Sequence, residues 1–363
     1  MAPLLGTSNG GHSAERSAVL ASHSQVPVGE KSSLLRHAFT PARSQASARA
    51  SGESSSGVVD LEPTALQISR QLTRKMAHSH YENFIVASVL LPRAMRQPFY
   101  DVYAYCRFAD DVADETGDPN VALKELEQLE SHIHAIYAGS PPRTSFYPAL
   151  AATIGRYRLP KKPFLDLLDA FRQDQSVSRY ESLPQLEDYC RCSANPVGRL
   201  VLALAGAEMT DENLADSDSI CTALQLANFW QDVKRDHAIG RLYVPQDRLL
   251  ALGLTPEDLQ PVMDGSCPAD SEIGCRIRQQ FSCVIKDLCQ DTRARFQNAG
   301  GLIHRVPEWL AADLWLFIQG GLATLDAIQA IDHDVLVQRP IVSRWKQLQL
   351  VARASWSVWR GRS

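Results

Sequence analysis

The segment Leu224-Gln225-Leu226-Ala227-Asn228-Phe229-Trp230-Gln231-Asp232-Val233-Lys234-Arg235-Asp236 decides the fold class. Its polar residues Gln225, Asn228, Asp232 and Asp236 follow spacings of three, four and four. An advance of ~100° per residue gathers them within roughly 80° of arc. Leu224, Ala227 and Trp230 point elsewhere and can pack, so the segment reads as an apolar helix with one polar seam. A second segment, Tyr100-Asp101-Val102-Tyr103-Ala104-Tyr105-Cys106-Arg107-Phe108-Ala109-Asp110-Asp111-Val112-Ala113-Asp114-Glu115, places Arg107, Asp110 and Asp114 on one helical face, with Asp111 at its edge. Aspartate is a poor helix former, and like charges four residues apart repel by a few tenths of a kcal/mol, so the cluster implies a cation nearby.

Outward from these segments the period persists. From Glu62 onward apolar residues recur at three and four between Pro and Gly breaks, and no useful alternating run appears, which predicts an all-α domain over residues 61–363. Helices are expected at Thr64–Ser79, Phe84–Leu91, Arg93–Asp114, Pro119–Tyr137, Phe146–Tyr157 and Lys162–Ser176. Further helices are expected at Leu183–Ser193, Val197–Ala205, Ser217–Asp236, Glu272–Ala299, Pro307–Ile331 and Ser343–Trp359. Leu249–Ser271 reads as the longest irregular connection, a surface loop rather than a lid. Residues 1–60, rich in Ser, Ala, Gly and Arg and lacking helical period, read as a disordered or processed extension, a bias that organelle transit peptides share.

Composition sets limits on function. The 363 residues are 45% hydrophobic and 21% charged, enough for one sizeable core, and the net charge of −4 supplies no basic field for a nucleic acid. The eight cysteines show neither zinc spacing nor a compact disulfide framework and read as reduced thiols, which points to the cytoplasm. No apolar run is long enough for a membrane span. The Trp- and Arg-bearing tail Ala352–Arg362 has the composition of an interfacial segment, which would allow peripheral membrane contact, although a terminal helix packed by its tryptophans with a frayed basic end is the favoured reading.

Either acidic helix alone could be a solvated face with ordinary charge pairs. Two such stripes in otherwise apolar helices are what a bundle needs to hold hard divalent cations through carboxylate oxygens. Magnesium keeps several waters and is commonly shared between one or two carboxylates and substrate phosphates, so the implied ligand is a diphosphate. Arg107 beside the first cluster, and Arg241 with Tyr243 beyond the second, are candidate diphosphate donors.

Cys106–Glu115, Asn228–Asp236 and Gly240-Arg241-Leu242-Tyr243 resemble the aspartate-rich motifs of squalene and phytoene synthases, over about residues 64–355. His80-Tyr81-Glu82-Asn83-Phe84, Phe171-Arg172-Gln173-Asp174 and Tyr189–Arg199 resemble the narrower hydroxysqualene synthase branch of bacterial hopanoid biosynthesis. The resemblance implies a class I isoprenoid synthase bundle around a central apolar cavity and two or three magnesium ions on Asp110, Asp114, Asn228, Asp232 and Asp236. It also implies catalysis by the four aspartates with Arg107, and substrate contacts at His80, Asn83, Tyr103, Tyr189, Asn195, Gln225, Asn228, Arg241 and Tyr243. Many family members carry a lysine in a His-Ser-Lys-Ser-Phe-type segment where this chain has Glu82, a lost cation that suggests a single diphosphate in the site.

The expected reaction is therefore magnesium-dependent ionisation of presqualene diphosphate, followed by water capture to hydroxysqualene, with Tyr189, Tyr103 or Asn195 positioning the water. NADPH is not expected, and handover to other squalene-pathway enzymes is. The rivals are head-to-head condensation of two prenyl diphosphates on the same aspartates, an inactive helical scaffold, and a lipid-binding tunnel indifferent to magnesium.

Overall fold

The computed structural model describes residues 63–79 and 91–361, all within one compact unit, Ser55–Ser363. The expectations for residues 1–60, for His80, Glu82 and Asn83, and for most of the helix Phe84–Leu91 lie outside the described residues.

The described residues are helical and form no strand; one isolated parallel bridge joins Arg179 to Leu242. The elements run α1 (Pro63–Ser79), α2 (Arg93–Glu115), α3 (Pro119–Tyr137), α4 (Tyr147–Tyr157), α5 (Lys162–Gln173), α6 (Leu183–Ser193) and α7 (Asn195–Ala205). They continue with α8 (Asp211–Gln231), α9 (Val233–Ala238), α10 (Gln246–Leu250), α11 (Pro256–Met263) and α12 (Glu272–Asn298). A 3-10 turn at Gly300–His304 leads to α13 (Glu308–Gln329) and α14 (Arg344–Gly361). No described helix is long and apolar enough to cross a membrane.

Helix α2 carries the first acidic motif and α8 leads into the second, and buried polar ties set their positions. On α2, Asp101 is fully buried and accepts hydrogen bonds from Thr73 of α1 (2.7 Å), Gln97 (2.8 Å) and Thr153 of α4 (2.7 Å). Burial raises its pKa, and these donors offset part of that cost. The Tyr105 hydroxyl donates to the Phe164 carbonyl at 2.6 Å, joining α2 to α5. Helix α8 runs through the main core, where the buried Trp230 indole donates to Thr292 of α12 at 2.9 Å. Gly198 lets α7 approach closely, since a Cβ there would lie 2.5 Å from Ser217 Oγ and 2.6 Å from Cys221 Sγ. All eight cysteines are free thiols.

Two expectations are corrected. The helix expected over Ser217–Asp236 is interrupted at Asp232 (φ −103°, ψ 14°), so Asp236 lies on α9. Leu249–Ser271 is not irregular throughout. It contains α11, entered through a capping box in which the Asp258 carboxylate accepts from the Thr255 N–H at 2.7 Å, and its Leu259, Val262 and Met263 are buried in the core.

Candidate active site

On α2, Arg107 donates to Asp110 at 3.0 Å and pairs with Asp111 through its other amino group. Burial, together with the neighbouring charge of Asp114, pushes the Asp110 carboxyl up to about 6. Asp114, one turn further on, is held from outside its helix by Arg241 at 3.1 Å.

The path of the chain after α9 explains this contact. Gly240 takes φ +80°, which an L side chain rarely adopts, and turns the chain back, with the Arg241 N–H donating to the Asp236 carbonyl at 2.9 Å. The Leu242 N–H then donates to the Ser178 carbonyl (2.8 Å) and the Gln246 N–H to the Tyr180 carbonyl (3.0 Å), stitching this segment to the α5–α6 connection. Arg241 thus acts electrostatically on Asp110 and Asp114 of the first motif, on Asp236 of the second, and on Asp174 just after α5.

Asp174 was not among the expected site residues. The Tyr189 hydroxyl donates to its Oδ2 at 3.0 Å, while its Oδ1 is buried without a hydrogen-bond partner. Burial pushes this carboxyl to about 6, and burial, followed by the Asp174 charge, drives the Tyr189 phenol far above its ordinary value. Tyr243 stacks on Phe229 at 3.8 Å between ring centroids and lies beside Tyr180 and Tyr189, giving the acidic chamber an aromatic wall.

In the second motif, burial and the Asp232 charge raise Asp236 to about 7. Asp232 itself is buried and clamped by two nitrogens of Arg339, one of them at 3.2 Å. Gln231 donates to the Pro340 carbonyl at 2.8 Å, holding the same segment. Arg339 is the second residue that sequence reasoning missed.

Asn228 and Gln225 lie about one and two turns before Asp232 along α8. With Gln231 they line a cavity of about 660 Å³, inside the usual range for ligand pockets, whose remaining walls come largely from apolar residues of α8, α13 and α14. Leu316, Phe317, Gly320 and Leu350 are among them. The C-terminal end of α8 leads from this cavity to Asp232, so the acidic cluster adjoins an apolar chamber. Tyr103 is half-buried beside Arg107 and the first acidic cluster. The Asn195 side-chain oxygen Oδ1 accepts from the Thr222 hydroxyl at 2.9 Å and ties α7 to α8.

Among the described residues no three Asp, Glu, His or Cys side chains converge as a metal cluster; each acidic motif is held by arginines instead. The donor set nonetheless fits magnesium. The ligands on offer are carboxylate and amide oxygens, and Asp110, Asp174 and Asp236 are all disfavoured as anions by burial, a cost that a bound cation removes. The orphaned Asp174 Oδ1 is a free acceptor in the same chamber.

Comparison with known proteins assigns the chain to a family. Residues 77–346 match the squalene/phytoene synthase family model. The crystal structure of squalene synthase HpnC from Alicyclobacillus acidocaldarius superposes with a TM-score of 0.66 at 38% identity, covering 75% of this chain and 97% of that one. A presqualene diphosphate synthase from Rhodopseudomonas palustris is 34% identical over 227 residues, 62% of this chain and 75% of its own. The phytoene synthase of Arthrospira platensis is 28% identical over 310 residues, 80% of this chain and 94% of its own. The chain spans 61% of the length of the chloroplastic phytoene synthase of Narcissus pseudonarcissus.

Proposed function

Because the chain belongs to the squalene/phytoene synthase family, whose members act on isoprenoid diphosphates, we propose that it ionises presqualene diphosphate with magnesium and delivers hydroxysqualene and free diphosphate. The observation that carries the branch is the 38% identity extending over 97% of the squalene synthase HpnC chain. Glu82, standing where many relatives have a lysine, supports a single bound diphosphate.

Asp110 and Asp114 on one side, and Asn228, Asp232 and Asp236 on the other, would hold the magnesium ions. Bound there, magnesium supplies Lewis-acid stabilisation of the departing diphosphate. Arg107 and Arg241 would add fixed positive charge where negative charge develops, and Arg339 would exchange Asp232 for a phosphate oxygen. As the C–O bond to diphosphate breaks, its electron pair leaves with the phosphate, and the apolar cavity shields the rearranging cation from bulk water.

Capture requires one ordered water. Asp174 is the residue best suited to hold it, because its Oδ1 has no other partner while Tyr189 fixes its Oδ2. The water oxygen bonds to the carbocation, and one of its protons passes to the Asp174 carboxylate. No residue acts as a nucleophile.

The test is diphosphate release from presqualene diphosphate, measured with magnesium and with chelator. Release is expected only with magnesium, and its loss is expected in Asp110→Asn and Asp236→Asn. Asp174→Asn is expected to keep releasing diphosphate while forming less alcohol. Equal release in chelator would overturn the metal assignment.

A further inference from the structure

Helix α14 has two unlike faces. Its inner face carries Leu350 and Ala354, which are buried against Ala312, Leu316 and Ala323 of α13. Gln347, Leu350 and Val351, with the preceding Val342, also form part of the 660 Å³ cavity wall. At ~100° per residue, Trp345, Leu348, Ala352 and Trp356 fall on the opposite side within roughly 80° of arc. These side chains stand in solvent: Trp345 is 77% exposed, Leu348 60% and Trp356 55%, and Ile341 just before the helix is 74% exposed. Burying the exposed parts of these two indoles and two aliphatic side chains in hydrocarbon releases water from them.

The charge around this stripe is as one-sided as its hydrophobicity. From 341 to 363 the sequence carries Arg344, Lys346, Arg353, Arg360 and Arg362 and no Asp or Glu, in a protein whose overall net charge is −4. Tryptophan flanked by Lys and Arg is the composition that settles at the headgroup level of a bilayer, with the indoles in the interface and the cations on anionic lipid. A second protein copy of like charge would meet repulsion from the same cations.

We propose that the outer face of α14, with Ile341, is a docking surface for an anionic lipid bilayer. The surface lies on the reverse side of the cavity wall. Docking therefore brings the apolar chamber within one helix diameter of the membrane, where a water-insoluble isoprenoid could pass between bilayer and cavity without crossing bulk solvent.

The experiment is co-sedimentation of the full chain with phosphatidylcholine vesicles, with and without phosphatidylserine, at low and high salt. The double variant Trp345→Ser/Leu348→Ser and the charge variant Lys346→Glu/Arg353→Glu are run in parallel. Sedimentation with the anionic vesicles is expected, weakening as salt screens the cations and falling at least about fivefold in each variant. Unchanged far-UV circular dichroism and melting temperature would establish that the variants remain folded. Absence of wild-type sedimentation with anionic vesicles overturns the proposal. So does wild-type-like sedimentation of both variants, which would place the contact elsewhere on the chain. Sedimentation velocity without lipid supplies the last arm: a dimer lost in Trp345→Ser/Leu348→Ser would assign the face to a second copy and likewise overturn it.

Discussion

Replacing Arg241 with Gln separates two roles that one guanidinium combines. Arg241 is 19% exposed, donates to Asp114 at 3.1 Å and acts electrostatically on Asp110, Asp174 and Asp236, so it is the cation shared by both acidic motifs. If it also donates to the leaving diphosphate, its removal forfeits a charge-assisted hydrogen bond worth about 1.5–3 kcal/mol. At ~1.4 kcal/mol per factor of ten, that is a loss of about 10- to 150-fold in kcat/KM. Magnesium affinity should move the other way or stay constant, because a positive charge that competes for Asp114 has gone. The assay is steady-state diphosphate release across a magnesium titration, with circular dichroism confirming the fold. A kcat/KM within twofold of wild type, or a magnesium affinity that falls in step with it, would refute this reasoning.

Other perturbations test other parts of the structure. Arg339→Gln leaves the buried Asp232 without its clamp, so the metal-free protein should melt at a lower temperature and gain more from added magnesium than the wild type does, read by differential scanning fluorimetry with and without chelator. Asp313 is 2% exposed, has an oxygen without a hydrogen-bond partner, and is raised by burial to about 8. The unfolded chain releases this proton near pH 4 and the folded protein holds it to about pH 8, so its contribution to stability is full below about pH 4 and is lost as pH rises through about 8. Asp313→Asn should remove that slope in urea unfolding measured across the same range, and an unchanged slope would contradict the assignment. A Cβ at Gly321 would lie 2.3 Å from Phe296 Cζ, in a ring that is itself buried, so Gly321→Ala should cost about 1–3 kcal/mol in chemical denaturation.

The all-helical class and the two acidic stripes were legible because both rest on local period: apolar residues at three and four, and aspartates four apart. Residues such as Asp174 and Arg339 were harder to see because they act across long separations. Asp174 belonged to the Phe171–Asp174 segment noticed by resemblance, yet its meeting with Arg241 depends on the stitch between Ser178 and Leu242. Arg339 stands 107 residues from Asp232, and nothing in its neighbourhood of sequence marks it as a partner. Asp101 and Asp110 show the same limit from the other side. Both are aspartates on α2, but Asp101 is spent on tying three helices together, and only the tertiary positions of Thr73 and Thr153 distinguish the two. The break at Asp232 was invisible for a related reason, since Asp232 N–H to Asn228 O and Asp236 N–H to Asp232 O, both 2.9 Å, preserve the helical four-residue spacing across it.

The measurement that bears most directly on the central claim is product analysis with purified protein and magnesium in heavy-oxygen water. Presqualene diphosphate alone should be compared with farnesyl diphosphate supplied with and without NADPH. The proposed reaction requires hydroxysqualene from presqualene diphosphate without NADPH, its hydroxyl carrying the heavy isotope. Squalene that appears only with NADPH, or a product that forms only from two prenyl diphosphates, would contradict it.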